Sequence, residues 1–248
     1  MQSFTNVLIQ KFPLFIFLYF VLQVIVRLFT TNIAILDESE QIMLSQYFDF
    51  GYNEQPPLYI WLQIGVFKLF GTNIFSLSIL KNSLLFVTSL FVYKIGFLLM
   101  ESRLKAALST ISLLLLPQFV WDAQVDQTHT ILLTMATAIS VYYFFKISKK
   151  EASIYDFAIF GISIGVGFNA KYNFVLVVVS LIIISLIIKE FRSRFYEKRL
   201  FLAIGIALVM VLPHFLWFIS HLEIATTRTI QRMSAGETHN VIINFFKG

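Results

Sequence analysis

The chain contains no cysteine, which excludes disulfides and thiolate metal sites and leaves the redox state of its compartment unreadable. Charge is also scarce. Asp, Glu, Lys and Arg make up 13% of the 248 residues, where a soluble domain carries roughly 25%. No Walker lysine loop, dinucleotide glycine fingerprint or zincin motif is present, which removes the common nucleotide and metalloprotease classes. No basic tract interleaves with aromatics in a polar segment, so nucleic acid is not an expected partner. No internal repeat is visible, which weighs against a secondary transporter. What the chain has instead is apolar surface: 58% apolar residues, 28 Phe and 10 Tyr, and a mean hydropathy of +0.79. Ordinary cytosolic enzymes and disordered chains are thereby excluded, and lipid contact is indicated.

Apolar runs near or above the ~18–20 residues needed to cross a bilayer recur along the chain. They predict an all-α polytopic fold with about seven spans, at 12–36, 75–100, 106–121, 128–146, 153–169, 173–188 and 200–220. The first run is too long for a cleavable signal peptide and has no small-residue cleavage site after it. Residues 1–248 read as one transmembrane domain, with 37–74 as its first outer loop.

The charges alternate between loops. Segments 101–105, 146–151 and 189–199 hold Arg103, Lys105, Lys146, Lys149, Lys150, Lys189, Arg192, Arg194, Lys198 and Arg199. Segments 37–57 and 122–127 hold no Lys or Arg, but carry Asp37, Glu38, Glu40, Asp49, Glu54, Asp122 and Asp126. By the positive-inside rule the N-terminus and the basic loops are cytoplasmic, and the acidic loops and the segment after His221 lie outside.

Within the first loop, residues 38–48 have the pattern of a helix with one apolar face, and 57–70 that of a second, opening at Pro57 and capped by Gly71. The second helix is too short to span and reads as interfacial. Asn53 and Pro56–Pro57 mark the turn between them.

Three polar sites stand on the outer side. Asp37 sits where the first span leaves the membrane, and either caps the following helix, with Glu38 and Glu40 favouring its positive end, or does chemistry. Asp126 either caps the span that starts near Thr128 or belongs to a functional face with Asp122 and His129, which share its side at helical spacing. Those three match no known metal-ligand spacing, and no metal is expected. Lys171 follows a glycine-rich run and either snorkels to headgroups or pairs with an anion. Gly161 and Gly165 form a small-xxx-small pattern, whose ordinary use is close helix packing. Carboxylates and a lysine on one surface suit a base, an acceptor hydroxyl and a phosphate leaving group.

The stretch 37–58 resembles the first outer loop of the C-type membrane glycosyltransferases, and within them glycosyltransferase family 39, which includes protein mannosyltransferases and bacterial aminoarabinose transferases. Asp37, Glu38, Gly51, Tyr52, Glu54, Pro56, Pro57 and Leu58 match in order and spacing, with looser matches at Gly71, Asp126, Lys171–Tyr172 and Leu212–Pro213. The resemblance implies transfer of a sugar from a polyprenyl-phosphate donor to a hydroxyl acceptor (lipid, glycan or protein) at the outer face of a bacterial inner membrane. Members of the family differ in metal use, and with no metal-ligand spacing in this chain no cofactor is expected. The resemblance places the catalytic pair at Asp37 and Glu38, with Asp37 as base or acceptor-positioning residue, and puts substrate contacts at Glu54, Gln55, Asp126 and Lys171, the lysine near the lipid phosphate. Relatives commonly carry His or Lys before Pro–Pro, where this chain has the uncharged Gln55. They also typically run to about twice this length, which points to a fragment, a short variant or a half completed by a partner. Two other readings stand beside the enzyme: a lipid-linked-sugar flippase, whose path Lys81 and Lys94 would line, and an inactive scaffold subunit.

Overall fold

The first apolar run folds as helix α1 (Phe12–Thr30), with a proline in its first turn, where a missing N–H costs nothing. Phe12, Ile16, Phe20, Val24 and Arg27 form its buried stripe, at the spacing of one helix face. Leu14, Phe17, Leu18 and Leu22 on the other sides are exposed, as lipid-facing residues are. The computed structural model describes residues 11–226 apart from positions 32, 150 and 196, and only the backbone of 193–195. The expected cytoplasmic N-terminus, Lys150, and the outer segment beyond 226 lie outside the described residues.

The first loop contains α2 (Leu36–Leu44), which starts two residues before and ends four residues before the expected 38–48, and α3 (Leu58–Phe70), one residue shorter than the expected 57–70. Pro57 is the residue before α3 rather than its first. Gly71 has φ +79° and donates its N–H to Phe67 O at 2.8 Å, the expected glycine stop. Between the helices, Asn53 Oδ1 accepts from the Gln55 N–H at 3.0 Å, a side-chain-closed turn. Helix α4 (Ile74–Met100) is capped by Asn73, whose side chain accepts from the Ser76 N–H at 2.9 Å.

The expected span 106–121 is not one straight helix. Helix α5 (Arg103–Ile111) runs on through a 3₁₀ turn (Ser112–Leu115), and the chain then bends by 78° into the segment Gln118–Val125. Pro117 is the cause: it has no N–H to continue the ladder, and the residue before it, Leu116, is forced into extended backbone at φ −90°, ψ 114°. Four further helices follow: α6 (Thr128–Ile147), α7 (Ile154–Ala170), α8 (Phe174–Ile187) and α10 (Arg199–Ser220), with the short α9 (Lys189–Phe195) between the last two. Among the described residues all regular structure is helical. Four helices are long and apolar enough to cross a membrane (α1, α4, α6 and α10), or five if the bent pair counts as one. The expected seven also included α7 and α8. At 17 and 14 residues they rise about 25 and 21 Å, short of the ~30 Å hydrocarbon thickness.

The most extensive packing is between α7 and α10, followed by α6 with α7. A Cβ on Gly161 would lie 2.4 Å from Ala203 O, and one on Gly165 2.8 Å from the Met210 sulfur. The small-xxx-small pattern therefore lets the α7 and α10 backbones touch. At one end of these helices Lys146 pairs with Asp156 at 2.7 Å, inside the capping box of Ser153 and Asp156, and Arg199 Nη1 donates to Ala152 O at 2.5 Å. Contacts among the acidic loops and Lys171 gather at the opposite end. The basic and acidic loops thus occupy opposite ends of the helical bundle, as their alternation requires.

Candidate active site

At the acidic end, each of two aspartates caps the other's helix. The Asp37 N–H, in the first turn of α2, donates to Asp126 Oδ1 at 3.0 Å. In return Asp37 Oδ2 accepts from the Thr128 N–H at 3.2 Å and from its hydroxyl at 3.4 Å, at the start of α6. Both carboxylates therefore sit at the N-terminal end of a helix, where the backbone dipole is positive. The cap reading was right in kind, but the partners are exchanged across 89 residues. Asp37 Oδ1 and Asp126 Oδ2 accept no hydrogen bond from the described residues, and both side chains are partly exposed. The two non-glycine residues that flank the pair, Leu36 and Gln127, have φ +23° and +60°. Left-handed backbone of that kind costs about 1–3 kcal/mol per residue and collects at functional sites.

The expected face of Asp122, Asp126 and His129 does not form. Asp126 is extended and Gln127 left-handed, so the helix restarts at Thr128 and the periodicity is lost. His129 is buried, its Nδ1 donating to Ala170 O at 3.2 Å and its Nε2 lying 3.4 Å from the Gln41 amide. Among the described residues no group of three His, Asp or Glu is placed to hold a metal ion.

Glu38 faces inward with no exposed surface. Its Oε2 accepts from Arg27 Nη2 at 2.8 Å and its Oε1 from Lys81 Nζ at 2.5 Å. Lys81 Nζ also donates to Gln124 O at 3.0 Å, while Gln124 Oε1 accepts from Asn82 at 3.0 Å. Of the proposed catalytic pair, Asp37 thus opens to the site and Glu38 lies behind it. Tyr59, on α3, is fully buried. Burial pushes its phenol well above the ordinary value, reinforced by the charges of Glu38 and Asp37, so it stays protonated.

Lys171 follows the last residue of α7 and donates to Thr130 Oγ1 at 3.0 Å. Thr128, His129 and Thr130 are consecutive, so the first turn of α6 contacts Asp37 on one side and Lys171 on the other. Three sites distant in sequence are brought to one turn of helix. Glu54 is buried in the first loop, and Gln55 is partly exposed beside it.

Helix α10 closes the far side. His214 Nδ1 meets Phe50 O at 2.8 Å and its Nε2 meets the Tyr172 hydroxyl at 2.9 Å. A carbonyl only accepts, so Nδ1 carries the proton and Nε2 accepts from Tyr172. Burial pushes the Tyr172 phenol up to about 12, consistent with its role as a donor. A Cβ on Gly51 would lie 2.1 Å from the Trp217 ring, so glycine at that motif position lets the first loop lie on α10.

Residues 54–217 match the family model described as dolichyl-phosphate-mannose-protein mannosyltransferase. The chain belongs to this family. The match takes in Glu54, Gln55, Asp126 and Lys171, while Asp37 and Glu38 precede it. Among curated relatives, the lipopolysaccharide core galacturonosyltransferase RgtB of Rhizobium johnstonii is 41% identical over 217 residues, covering 88% of this chain and 44% of the relative. The lipopolysaccharide core galacturonosyltransferase RgtA of the same organism is 36% identical over 230 residues, covering 93% and 46%. The chain thus spans less than half the length of these relatives. No solved structure matches it. Membership of this mannosyltransferase family, with several membrane-length apolar helices, makes the chain part of an integral membrane protein.

Sequence reasoning missed Arg27 and His214 in this family member. Both had a signal, being ionisable residues inside apolar runs, where such groups are expensive and are kept for a partner or a task.

Proposed function

We propose that this protein transfers a sugar from a polyprenyl-phosphate donor to a hydroxyl acceptor at the outer membrane face, with Asp37 as general base. The observation that carries the reading is the asymmetric use of the Asp37 carboxylate: Oδ2 is held by Thr128, while Oδ1 is left to the site, and Lys171 meets the same first turn of α6 two residues on, at Thr130. The acceptor hydroxyl gives its proton to Asp37 as its oxygen attacks the anomeric carbon. The bond from that carbon to the phosphate oxygen breaks, its electron pair leaves with the lipid phosphate, and the anomeric configuration inverts. General base catalysis of this kind typically supplies about 10²–10⁴-fold. Lys171 and Gln55 hold the departing phosphate, Asp126 orients Asp37, and Glu54 shapes the first loop around the donor. An apolar cavity of about 430 Å³ among α6, α7, α8 and α10 extends to Phe168, three residues before Lys171, and offers the lipid tail a place.

Because the relatives are named galacturonosyltransferases of the lipopolysaccharide core, we assign galacturonic acid as the sugar and a core saccharide as the acceptor. Further residues, on this chain or a partner, complete the acceptor side. Membranes bearing the protein are expected to move labelled galacturonic acid from polyprenyl phosphate onto a core oligosaccharide. Transfer from a nucleotide sugar, with none from the lipid donor, would overturn this reading. The flippase reading loses its path: Lys81 is sealed against Glu38, and Lys94 lies 4.7 Å over the Phe91 ring.

The proposed topology has seven crossings, with α7, α8 and the bent segment completing the set, and an inside N-terminus in the bacterial inner membrane. In sealed cells of this cysteine-free chain, Gln46→Cys should react with an impermeant maleimide and Glu151→Cys only after permeabilisation. The reverse pattern would invert the protein and put the carboxylates on the cytoplasmic side.

A further inference from the structure

Lysine carries its charge on a flexible stem, so a phosphate contact at a fixed point needs a fixed backbone beneath it. The turn that carries Lys171 is tied down on both sides of that residue. Before it, Asn169 Nδ2 donates to Met210 O on α10 at 3.0 Å, and Ala170 O accepts from His129 Nδ1 on α6 at 3.2 Å. After it, the Tyr172 hydroxyl donates to His214 Nε2 on α10 at 2.9 Å. The backbone of Lys171 itself is also used: its N–H donates to Gly167 O at 3.2 Å and its carbonyl accepts from the Phe174 N–H at 3.0 Å.

Both histidines continue beyond the turn and reach the first loop. His129 Nε2 meets the Gln41 amide at 3.4 Å, and Gln41 stands one helical turn after Asp37 on α2. His214 Nδ1 donates to Phe50 O at 2.8 Å, beside the motif glycine Gly51. In each ring Nδ1 faces a carbonyl, so it carries the proton and Nε2 accepts. Each imidazole is therefore a two-ended connector, with one donor and one acceptor, and both rings are buried. A buried histidine with both nitrogens satisfied is ordinarily a packing residue. These two differ in where they lead: from two different helices, each joins a neighbour of Lys171 to a different part of the first loop. We infer that His129 and His214 are positioning residues that hold Lys171 in register with the first loop, and so fix where the donor phosphate sits between Lys171 and Gln55. They act through the lysine and touch no reacting group. A group displaced by about 1 Å can lose about 10²-fold in rate, which is why such support matters.

The inference rests on the proposed phosphate contact of Lys171, and the two can fail separately. The experiment is a donor-binding cycle in the full-length protein, with polyprenyl-phosphate-linked galacturonic acid as the probe. His214→Phe keeps a ring in the stack between Tyr172 and Trp217 and removes both hydrogen bonds. Tyr172→Phe removes one of the same bonds from the other side. His129→Phe and Gln41→Met do likewise for the second bridge. Each should weaken donor binding about fivefold or more, the scale of one neutral hydrogen bond. His214→Gln and His129→Gln, whose amide offers one donor and one acceptor, should recover part of the loss. In a Lys171→Met background the four losses should vanish, because the group being positioned is gone. Losses that persist undiminished in that background would show general loosening of the fold and overturn the inference. Wild-type affinity in a folded His214→Phe or His129→Phe would overturn it as well, as would failure of all four variants to fold, which would make the bridges scaffold. Lys171→Met with wild-type affinity would sink the phosphate contact itself. A weakened Lys171→Met that shows no coupling to either histidine would sink only the positioning role.

Discussion

Asp37→Asn is expected to lower sugar transfer by about 10²-fold or more at neutral pH, the scale of a lost general base, with little change in thermal stability. Stability should hold because the cap survives. The amide oxygen of asparagine accepts from the Thr128 N–H as the carboxylate does, and asparagine caps helices about as well as aspartate. The Asp37 N–H still reaches Asp126 Oδ1. What asparagine cannot do is take the acceptor's proton. Asp37→Ala supplies the contrast, losing the base and the cap together and adding roughly 1 kcal/mol of destabilisation. Transfer measured beside a melting curve in detergent separates the two effects. Near-normal turnover in Asp37→Asn would reduce this residue to a cap.

The second large effect is expected at Lys171. A hydrogen bond to a charged group contributes about 1.5–3 kcal/mol, so Lys171→Met should weaken binding of the donor lipid roughly 10- to 150-fold. Lys171→Arg should keep part of that affinity, since it restores charge with a different donor geometry. Gln55→Ala should cost less, on the order of 1 kcal/mol, the usual net worth of a neutral hydrogen bond. Gln55→Lys should tighten binding by adding a second cation beside the phosphate. The donor dissociation constants of these four variants decide the matter. Equal affinity in wild type and Lys171→Met would leave Lys171 as a headgroup anchor tied to Thr130.

The legible parts of this molecule were those governed by local rules. Apolar runs marked the long helices, Gly71 stopped α3 where glycine at a helix end should, and Gly161 with Gly165 announced the close contact of α7 and α10. The first-loop motif located Asp37, and its Gly51 proved to be the residue that lets the loop touch Trp217. The errors arose where a local rule was extended across a break. Pro117 lay inside the expected span 106–121, and its effect on the preceding residue was enough to end the helix. Placing Asp122, Asp126 and His129 on one face assumed a helix that Gln127 interrupts. The long-range pairings were out of reach. A single sequence shows two aspartates at cap positions, and only the fold shows that they exchange helices. The same is true of Glu38, whose partners come from α1 and α4, and of Lys81, which resembled a pore residue until its carboxylate was located.

The exchange of caps has a consequence for how the protein is made. Neither aspartate has a cap partner nearby in its own stretch of chain. Asp37 must wait for a partner 91 residues downstream, and Thr130 waits a further 41 for Lys171. While the chain is being threaded into the membrane, the first loop therefore emerges with its carboxylates solvated and unaligned. The reactive geometry appears only once the turn after α7 has been delivered. On the mechanism proposed above, a nascent chain would be catalytically silent, and a donor lipid would meet a working site only after most of the bundle is in place.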